Sequence, residues 1–340
     1  MFLTSGLVDH LHKLYPAAEI HVFHSAFNAG AVQFLVPDVI SHRCDFTDPR
    51  PALRELRDAK LDVLINCAPW TRLTALLTSL SGAKATFGFR SKGQGIHPAF
   101  DLTVPYRDDR HEIANHHAMA ELFGPLDSYR LSIRSIERAP SRALPYDELV
   151  LMHATPGGSA AKPKSWPREH WAELVGRLTG KGFVVGFTGT QADQTAIDAI
   201  LYAAKVPSES AFSLAGLLSL PELAYALNRA KLLVTVDTGV AHLAAALNAP
   251  VVCLHGPTRF ARWGACNTRA TGVDSPHPAA GYIHYGFESH PLQNDIMPAI
   301  SVEAVEAAVT ARLTETKSEA VAVVRDALEQ EQKARRSATS

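Results

Sequence analysis

The chain has 340 residues, of which 46% are hydrophobic and 20% charged, with a formal net charge of −1. This length predicts two domains, and the composition is ordinary for a soluble globular protein. The nearly neutral charge argues against a nucleic-acid partner, and no apolar run reaches the roughly 18 residues of a membrane span. There is no secretory-signal pattern at the start. The four cysteines form no CxxC pair, which indicates reduced thiols and a cytoplasmic protein.

Strand and helix patterns alternate through the first part of the chain, for which we expect one domain over residues 1–140. A nearly continuous apolar run, such as the one at 61–68, is typical of a parallel strand covered on both faces. The predicted elements are, in order, a strand at Glu19–His24, helices at Ala26–Val36 and Pro49–Lys60, a strand at Leu61–Ala68, a helix at Thr71–Ser81, strands at Thr86–Phe89 and Asp101–Val104, and a helix at His111–Phe123.

The alternation pauses at Arg134–Pro145, which is typical of a linker, and then restarts. We expect a second domain over residues 146–318, followed by a helical or frayed tail at 319–340. Its predicted elements are strands at Glu148–His153, Gly182–Thr188, Lys231–Val236 and Val251–His255, and helices at Arg168–Thr179, Ala192–Ala204, from Ser219, at Gly239–Asn248 and at Ser301–Leu313. The segment Pro257–Pro298 reads as a long loop. In it, Arg259, Arg262 and Trp263 either contact a bound substrate or form a structural cover.

Repeated strand–helix units predict the α/β class with parallel sheets. Two such halves joined by a linker imply a cleft between them. In open α/β sheets, ligands bind beyond the carboxyl ends of the strands. The residues that follow the strands at 148–153 and 231–236 are therefore the first candidates for a binding site.

The segment from Val234 to Ala246 predicts a buried strand, a polar Asp237-Thr238-Gly239 turn and an immediate helix. The first N–H groups of a helix lack intrahelical partners and carry partial positive charge, so such a turn readily holds a diphosphate. Gly239 lets the backbone approach a ligand because it has no Cβ, and His242 is one turn further on. A plain helix cap would explain Asp237 and Thr238 equally well.

A second turn of this kind follows the strand at 148–153. The loop over 154–167 carries glycines, the hydroxyls of Thr155 and Ser159, and two lysines that include Lys164. Free N–H groups, hydroxyls and a lysine suit a diphosphate, but the loop lacks the GxxxxGK[ST] spacing of a P-loop. The alternative is a solvated loop whose lysines face water. Two such turns at strand ends of one domain together favour the phosphate interpretation.

Four stretches, taken in order, resemble glycosyltransferase family 9, whose best-known members are the ADP-heptose:lipopolysaccharide heptosyltransferases. Lys164–Leu174 is similar to the family's K-x-W-P…W-x-x-L block, and Leu214–Leu223 to its LxG…L-x-E-L block. Asp237–Ala245 is similar to the D-[ST]-G-x-x-H-L-A-A block, and Pro250–Thr258 to the P-x-V-x-L-[FY]-G-P-T block. His255 stands where the last block has an aromatic residue. The match covers most of residues 148–314 and, more weakly, the N-terminal half.

The resemblance implies a GT-B architecture, in which two Rossmann-like domains face each other across a cleft. The C-terminal domain would bind a nucleotide-sugar donor and the N-terminal domain an acceptor. The implied donor-binding residues are Thr155, Ser159, Lys164, Asp193, Asp237, Thr238, Gly239 and His242. Asp193, or else Gln191, would contact the nucleotide ribose, where the family often carries a glutamate.

Members of this family usually begin with a strand and a Gly-Asp turn, and the aspartate of that turn is their proposed general base. In this chain the region would lie before Met1, either because the start is misassigned or because the chain is truncated. The resemblance therefore leaves the catalytic base unknown. The stretch Leu7–Leu14 resembles the first helix of the family, and Asp9 is no substitute for the base because it falls within that stretch.

The implied reaction is the inverting transfer of a sugar, heptose from ADP-heptose, to a surface-glycan or lipopolysaccharide-type acceptor. Lys164 and the helix start at Gly239 would stabilise the departing diphosphate, so we expect no cofactor and no metal. The stretch from His111 to His116 is one residue too long for HExxH. The expected partners are the donor and a glycan or glycolipid acceptor, with peripheral contact to the inner membrane surface allowed.

Two other functions fit the same scaffold. One is a catalytically impaired sugar-nucleotide-binding protein. The other is a nucleotide-sugar 2-epimerase, although the acid residues and paired glutamates of such enzymes are not found in this chain.

Overall fold

A computed structural model describes residues 1–126, 128–134, 138–157, 161–286 and 288–315. These residues form two compact units. The first unit contains the described residues up to Arg134, together with Ala261–Cys266 and Tyr282–Ser289, and the second contains the remainder. The two short segments belong to the first unit, although the sequence places them within the second domain. The predicted tail at 319–340 lies outside the described residues.

The first unit contains two small parallel sheets. Its helices and strands are α1 (Ser5–Leu14), β1 (His21–His24), α2 (Ala29–Val32), β2 (Ile40–Arg43), α3 (Pro49–Asp58), β3 (Val63–Ile65), α4 (Arg72–Leu80), β4 (Ala85–Arg90), β5 (Leu102–Pro105) and α5 (Glu112–Ala120). Strands β1 and β2 pair with each other, and β3, β4 and β5 form a three-stranded sheet in that order. On α1, Asp9 pairs with Lys13 at 2.7 Å, and the Asp9 side chain is 15% exposed.

For this unit, one predicted helix was wrong and one strand was missed. The helix predicted at Ala26–Val36 is a 3₁₀ turn at Ala26–Asn28 followed by the four-residue α2. Val36 precedes Pro37, and the proline ring disfavours helical backbone at the residue before it. Strand β2 was not predicted, because its sequence Ile-Ser-His-Arg is polar and its residues are largely exposed.

The second unit is built on one six-stranded parallel sheet. Its elements are β6 (Leu149–His153), α6 (Arg168–Thr179), β7 (Val184–Phe187), α7 (Gln194–Ala204), β8 (Ala211–Ser213), α8 (Leu220–Arg229), β9 (Leu232–Val236), α9 (Gly239–Ala246), β10 (Val251–His255), α10 (Phe260–Trp263, which runs on into the first unit), β11 (Ala270–Asp274), α11 (Gln293–Ile296) and α12 over residues 302–315. The strand order is β11-β10-β9-β6-β7-β8. The α/β class with parallel sheets is confirmed.

The centre of this sheet is the core of the second unit. Every residue of β9 and β10 is buried, as a parallel strand covered on both faces requires. Trp166 and Trp171 pack against this core at the start of α6, and the indole Nε1 of Trp166 donates to the Ile300 carbonyl at 3.0 Å. The end of the loop at 154–167 is therefore fixed to the core.

The segment predicted as a long loop, Pro257–Pro298, contains β11 and two short helices. The strand was missed because Ala270–Asp274 has no apolar alternation and is only partly buried. Arg259 donates to the carbonyls of Ser275 and Ala280, which agrees with a structural cover. Among the described residues, no helix is both long and apolar enough to cross a membrane.

Candidate functional site

Three neighbouring strands of the second unit end at the same edge of the sheet. Strand β9 lies between β6 and β10, with His153 opposite Thr235 and Leu254 opposite Val236. The Thr235 hydroxyl donates to the His153 carbonyl at 3.1 Å, which ties two of the strand ends together. The residues that follow these strands are thereby brought to one place, as the sequence predicted for the segments after β6 and β9.

Lys164 and Asp237 meet at this edge. Lys164 ends a 3₁₀ turn at Lys162–Lys164, and its Nζ lies 2.8 Å from Asp237 Oδ2. The lysine side chain is 19% exposed and the aspartate 9%. Lys164 therefore does not simply face water, as the alternative interpretation of the loop would have it. The two turns that the sequence singled out are joined by an ion pair.

The carboxyl group of Asp237 stays ionised in this setting. Burial by itself raises its pKa, but Lys164, followed by His255 and His242, outweighs burial and holds the pKa at about 2. A carboxylate repels a diphosphate, whereas the lysine beside it attracts one. We therefore assign Asp237 to holding Lys164 in place, and we keep Lys164 as the group that would meet an anion.

The start of helix α9 has no side-chain cap among the described residues. Thr238 is its N-cap residue but makes no side-chain cap hydrogen bond; its hydroxyl lies 3.3 Å from that of Thr235 instead. A methyl group placed on Gly239 would meet no heavy atom within 4 Å, so the space beside the helix start is open. Within the described part of the chain, the cap interpretation of this turn therefore lacks its side-chain hydrogen bond, while the anion interpretation has room beside the helix start.

The other residues predicted for the donor site are placed as follows. Thr155 follows β6, and its hydroxyl is buried with no hydrogen-bond partner among the described residues, so it is available to a ligand oxygen. His242 lies on α9 one turn after Gly239 and contributes to the low pKa of Asp237. Ser159 lies outside the described residues, and its contact with a diphosphate stays a prediction.

Asp193 has a local role that needs no ligand. Its Oδ2 accepts hydrogen bonds from the backbone N–H and the hydroxyl of Thr190, at 2.7 and 2.8 Å, which forms a capping box ahead of α7. Gln191, the alternative, is exposed in the same turn. The contact of either residue with a ribose stays a prediction.

Thr258 and His255 also belong to this site, although no role in it was predicted for either residue. The Thr258 hydroxyl donates to Asp237 Oδ2 at 3.0 Å, and His255 Nδ1 lies 3.0 Å from the same hydroxyl. Both residues belong to the Pro250–Thr258 block quoted above. A polar histidine inside an otherwise apolar strand was the one available sign, because a buried polar group needs a hydrogen-bond partner.

The histidines that were weighed as metal ligands have other partners in the first unit. His111 Nε2 lies 3.1 Å from the Gly264 carbonyl, and His116 Nε2 lies 3.7 Å from Glu112 Oε1. In the part of the chain that the structure describes, no group of three His, Cys, Asp or Glu residues could hold a metal ion. Independence of metal and cofactor remains a prediction.

Taken together, the edge of the sheet offers a lysine, open helix N–H groups and a buried hydroxyl. These are the groups that bind and stabilise a diphosphate without specifying the rest of the ligand.

Comparison with known proteins gives consistent results. The family model of glycosyltransferase family 9 (heptosyltransferase) matches residues 51–285. Lipopolysaccharide heptosyltransferase 2 of Escherichia coli K12 is 36% identical over 104 residues, 30% of this chain and 30% of the relative. Lipopolysaccharide heptosyltransferase 1 of E. coli O18:K1:H7 is 28% identical over 228 residues, 62% of this chain and 64% of the relative. In sequence, the chain thus spans 30% of the first relative and 64% of the second.

A solved structure, that of E. coli ADP-heptose lps heptosyltransferase II, superposes with a TM-score of 0.68 at 21% identity. The superposition covers 93% of this chain and 96% of that one. This likeness shows the fold, which is GT-B, as the sequence resemblance implied.

Proposed function

Because the chain belongs to glycosyltransferase family 9, we propose that it transfers heptose from ADP-heptose to a lipopolysaccharide-type acceptor, with inversion and without a metal. The relatives described above carry the names of lipopolysaccharide heptosyltransferases, which supports this donor and this class of acceptor. We place the reaction in the cytoplasm, with the acceptor glycolipid at the inner membrane surface and no cofactor beyond the donor.

The observation that carries the proposal is the open start of α9 beside the Lys164–Asp237 pair. A nucleoside diphosphate sugar reacts by displacement at its anomeric carbon, where the acceptor oxygen forms a bond as the bond to the diphosphate breaks. Negative charge then grows on the departing ADP. Lys164 and the N–H groups at Gly239 stabilise that charge, and a base takes the proton of the acceptor hydroxyl.

Lys164 is well suited to this role because it is already placed. A free lysine would lose about 2 kcal/mol of rotamer entropy on binding, whereas Asp237 already holds the ammonium group at the strand ends. Thr155, whose hydroxyl lacks a partner among the described residues, adds a neutral donor for a phosphate oxygen. The site thus supplies fixed positive potential without a metal ion.

The test has two stages. Tryptophan-fluorescence titrations with ADP-heptose, UDP-N-acetylglucosamine and GDP-mannose should show the tightest binding for ADP-heptose. ADP release should then require a heptose-deficient lipopolysaccharide acceptor. Binding of ADP-heptose without acceptor-dependent release would indicate the impaired binding protein, and epimer formation from a nucleotide sugar would indicate the 2-epimerase. Either result would overturn the proposed transfer.

A further inference from the structure

A row of hydrogen bonds leads from the buried strand β10 to Lys164. His255, at the end of β10, is fully buried and packs edge-to-face against Phe260, with ring centroids 5.6 Å apart. Its Nδ1 contacts the Thr258 hydroxyl, which contacts Asp237 Oδ2, which in turn contacts Lys164 Nζ. All four side chains belong to the second unit.

The donor and the acceptor of each hydrogen bond in this row follow from the number of protons that each group carries. A threonine hydroxyl has one proton to donate, and in this row it goes to the Asp237 carboxylate, which can only accept. The hydroxyl must therefore accept from His255, so His255 carries its proton on Nδ1. Asp237 Oδ2 accepts two hydrogen bonds, one from the Thr258 hydroxyl and one from the Lys164 ammonium group.

We propose that His255 is a positioning residue for the leaving-group lysine and acts through Thr258 and Asp237; the inference rests on the proposed function of this site. By donating to Thr258, His255 fixes the hydroxyl with its proton aimed at Asp237. Asp237 is thereby held in the orientation in which it keeps Lys164 at the strand ends. His255 itself touches no reacting group.

Packing alone does not require a histidine at this position. The other residues of β10 are Val251, Val252, Cys253 and Leu254, and all are buried. An apolar aromatic ring would fill the same space beside Phe260, while a buried imidazole is costly unless it is hydrogen-bonded. The polar ring is therefore explained by its bond to Thr258.

The experiment uses the full chain and three substitutions. His255→Phe keeps a ring against Phe260 but removes the Nδ1 donor. His255→Asn is the matched control, because its amide N–H replaces that donor. Thr258→Val keeps the shape of the threonine and breaks the row at its next member.

ADP affinity, measured by calorimetry, is the first readout. We expect His255→Phe to weaken ADP binding about fivefold, as the loss of one hydrogen bond to a charged network does, and His255→Asn to stay within about twofold of wild type. In the Thr258→Val background, His255→Phe should add little, because linked residues are non-additive. A histidine that only packs would instead weaken binding by the same factor in both backgrounds.

The melting temperature without nucleotide is the second readout. Here too, His255→Phe should lower the melting temperature less in the Thr258→Val background than alone. If the wild-type chain bound no ADP, the proposed function would fail. The double-mutant cycle of melting temperatures would still test the hydrogen bonds between His255, Thr258 and Asp237. Additive effects in the cycle, or a His255→Asn variant as impaired as His255→Phe, would overturn the role of His255.

Discussion

Arg262 Nη1 lies 2.7 Å from Glu112 Oε2, although 150 residues separate the two along the chain. Both side chains are buried, with 7% and 3% exposed, and Glu112 Oε2 also accepts from the Tyr106 hydroxyl at 2.7 Å. The segment Ala261–Cys266 is thus part of the first unit because its arginine completes a buried polar cluster there. A buried charge requires such a partner.

We expect Glu112→Gln to destabilise the first unit by about 3 kcal/mol, because it leaves the Arg262 charge buried without its counterion. Chemical denaturation followed by aromatic fluorescence measures the change. Asp109→Asn is the control, since Asp109 pairs with Arg107 on the surface, where both side chains are 59% exposed. Its cost should be far smaller, because an exposed ion pair contributes little to stability. Equal costs for the two substitutions would contradict the importance assigned to the buried pair.

Gly239→Ala separates the anion site from a plain helix start. The added methyl group would meet no heavy atom within 4 Å, so the melting temperature should be unchanged or slightly higher. A diphosphate bound to the helix N–H groups would occupy that space, and ADP affinity should therefore fall at least about fivefold. The control is Gly176→Ala in α6, where a methyl group also meets nothing within 4 Å. Unchanged ADP affinity in Gly239→Ala would place the diphosphate elsewhere.

Lys164→Ala should weaken ADP-sugar binding at least about tenfold, because it removes a charge-assisted hydrogen bond. It also leaves the Asp237 carboxylate uncompensated beside the phosphates. Calorimetric titration with ADP-heptose measures the loss. Lys162→Ala is the matched control, as Lys162 is exposed in the same 3₁₀ turn. Wild-type affinity in Lys164→Ala would count heavily against the assigned position of this loop.

Mild acid should destabilise the first unit through His116. Burial lowers the pKa of His116 to about 4 from its ordinary 6.5. Below pH 6.5, His116 is therefore protonated in the unfolded chain but stays neutral in the folded chain until the pH nears 4. Stability is therefore full above pH 6.5 and falls by at most about 3 kcal/mol as the pH drops toward 4.

The measurement is the melting temperature of the first unit between pH 7 and pH 4. His116→Phe keeps an aromatic ring next to Phe89 and Tyr129 and should flatten the decline with pH, whereas substitution of the exposed His97 by Asn should leave it as in wild type. A decline just as steep in His116→Phe would assign the acid sensitivity to other groups.

The sequence predicted most where apolar patterns are strong. Helix α6 at Arg168–Thr179 and strand β10 at Val251–His255 have the predicted bounds, because one carries a helical apolar stripe and the other a continuous apolar run. Strands β2, β8 and β11 were missed because their residues are polar or only partly buried. Such strands form because of their hydrogen-bonded neighbours in the sheet, and the local sequence pattern carries no information about those neighbours.

The candidate site was predictable in its members but not in its contacts. The turns after β6 and β9 were identified from glycines, hydroxyls and a lysine at strand ends. The pairing of Lys164 with Asp237 follows only from the position of β6 beside β9. For the same reason, the row from His255 through Thr258 could not be read from the chain, because strand order decides which side chains meet.

Strands β6 and β9 lie in the middle of the six-stranded sheet, with a hydrogen-bonded neighbour on each side. Amide hydrogens there should exchange with solvent only on opening of the whole second unit. Thr155 and Gly239 lie close to the ends of these two strands, so a nucleotide that binds to them would restrict little additional backbone motion. The entropic penalty of nucleotide binding is thereby kept small. Selectivity among donors then depends on the more peripheral segments around these strand ends.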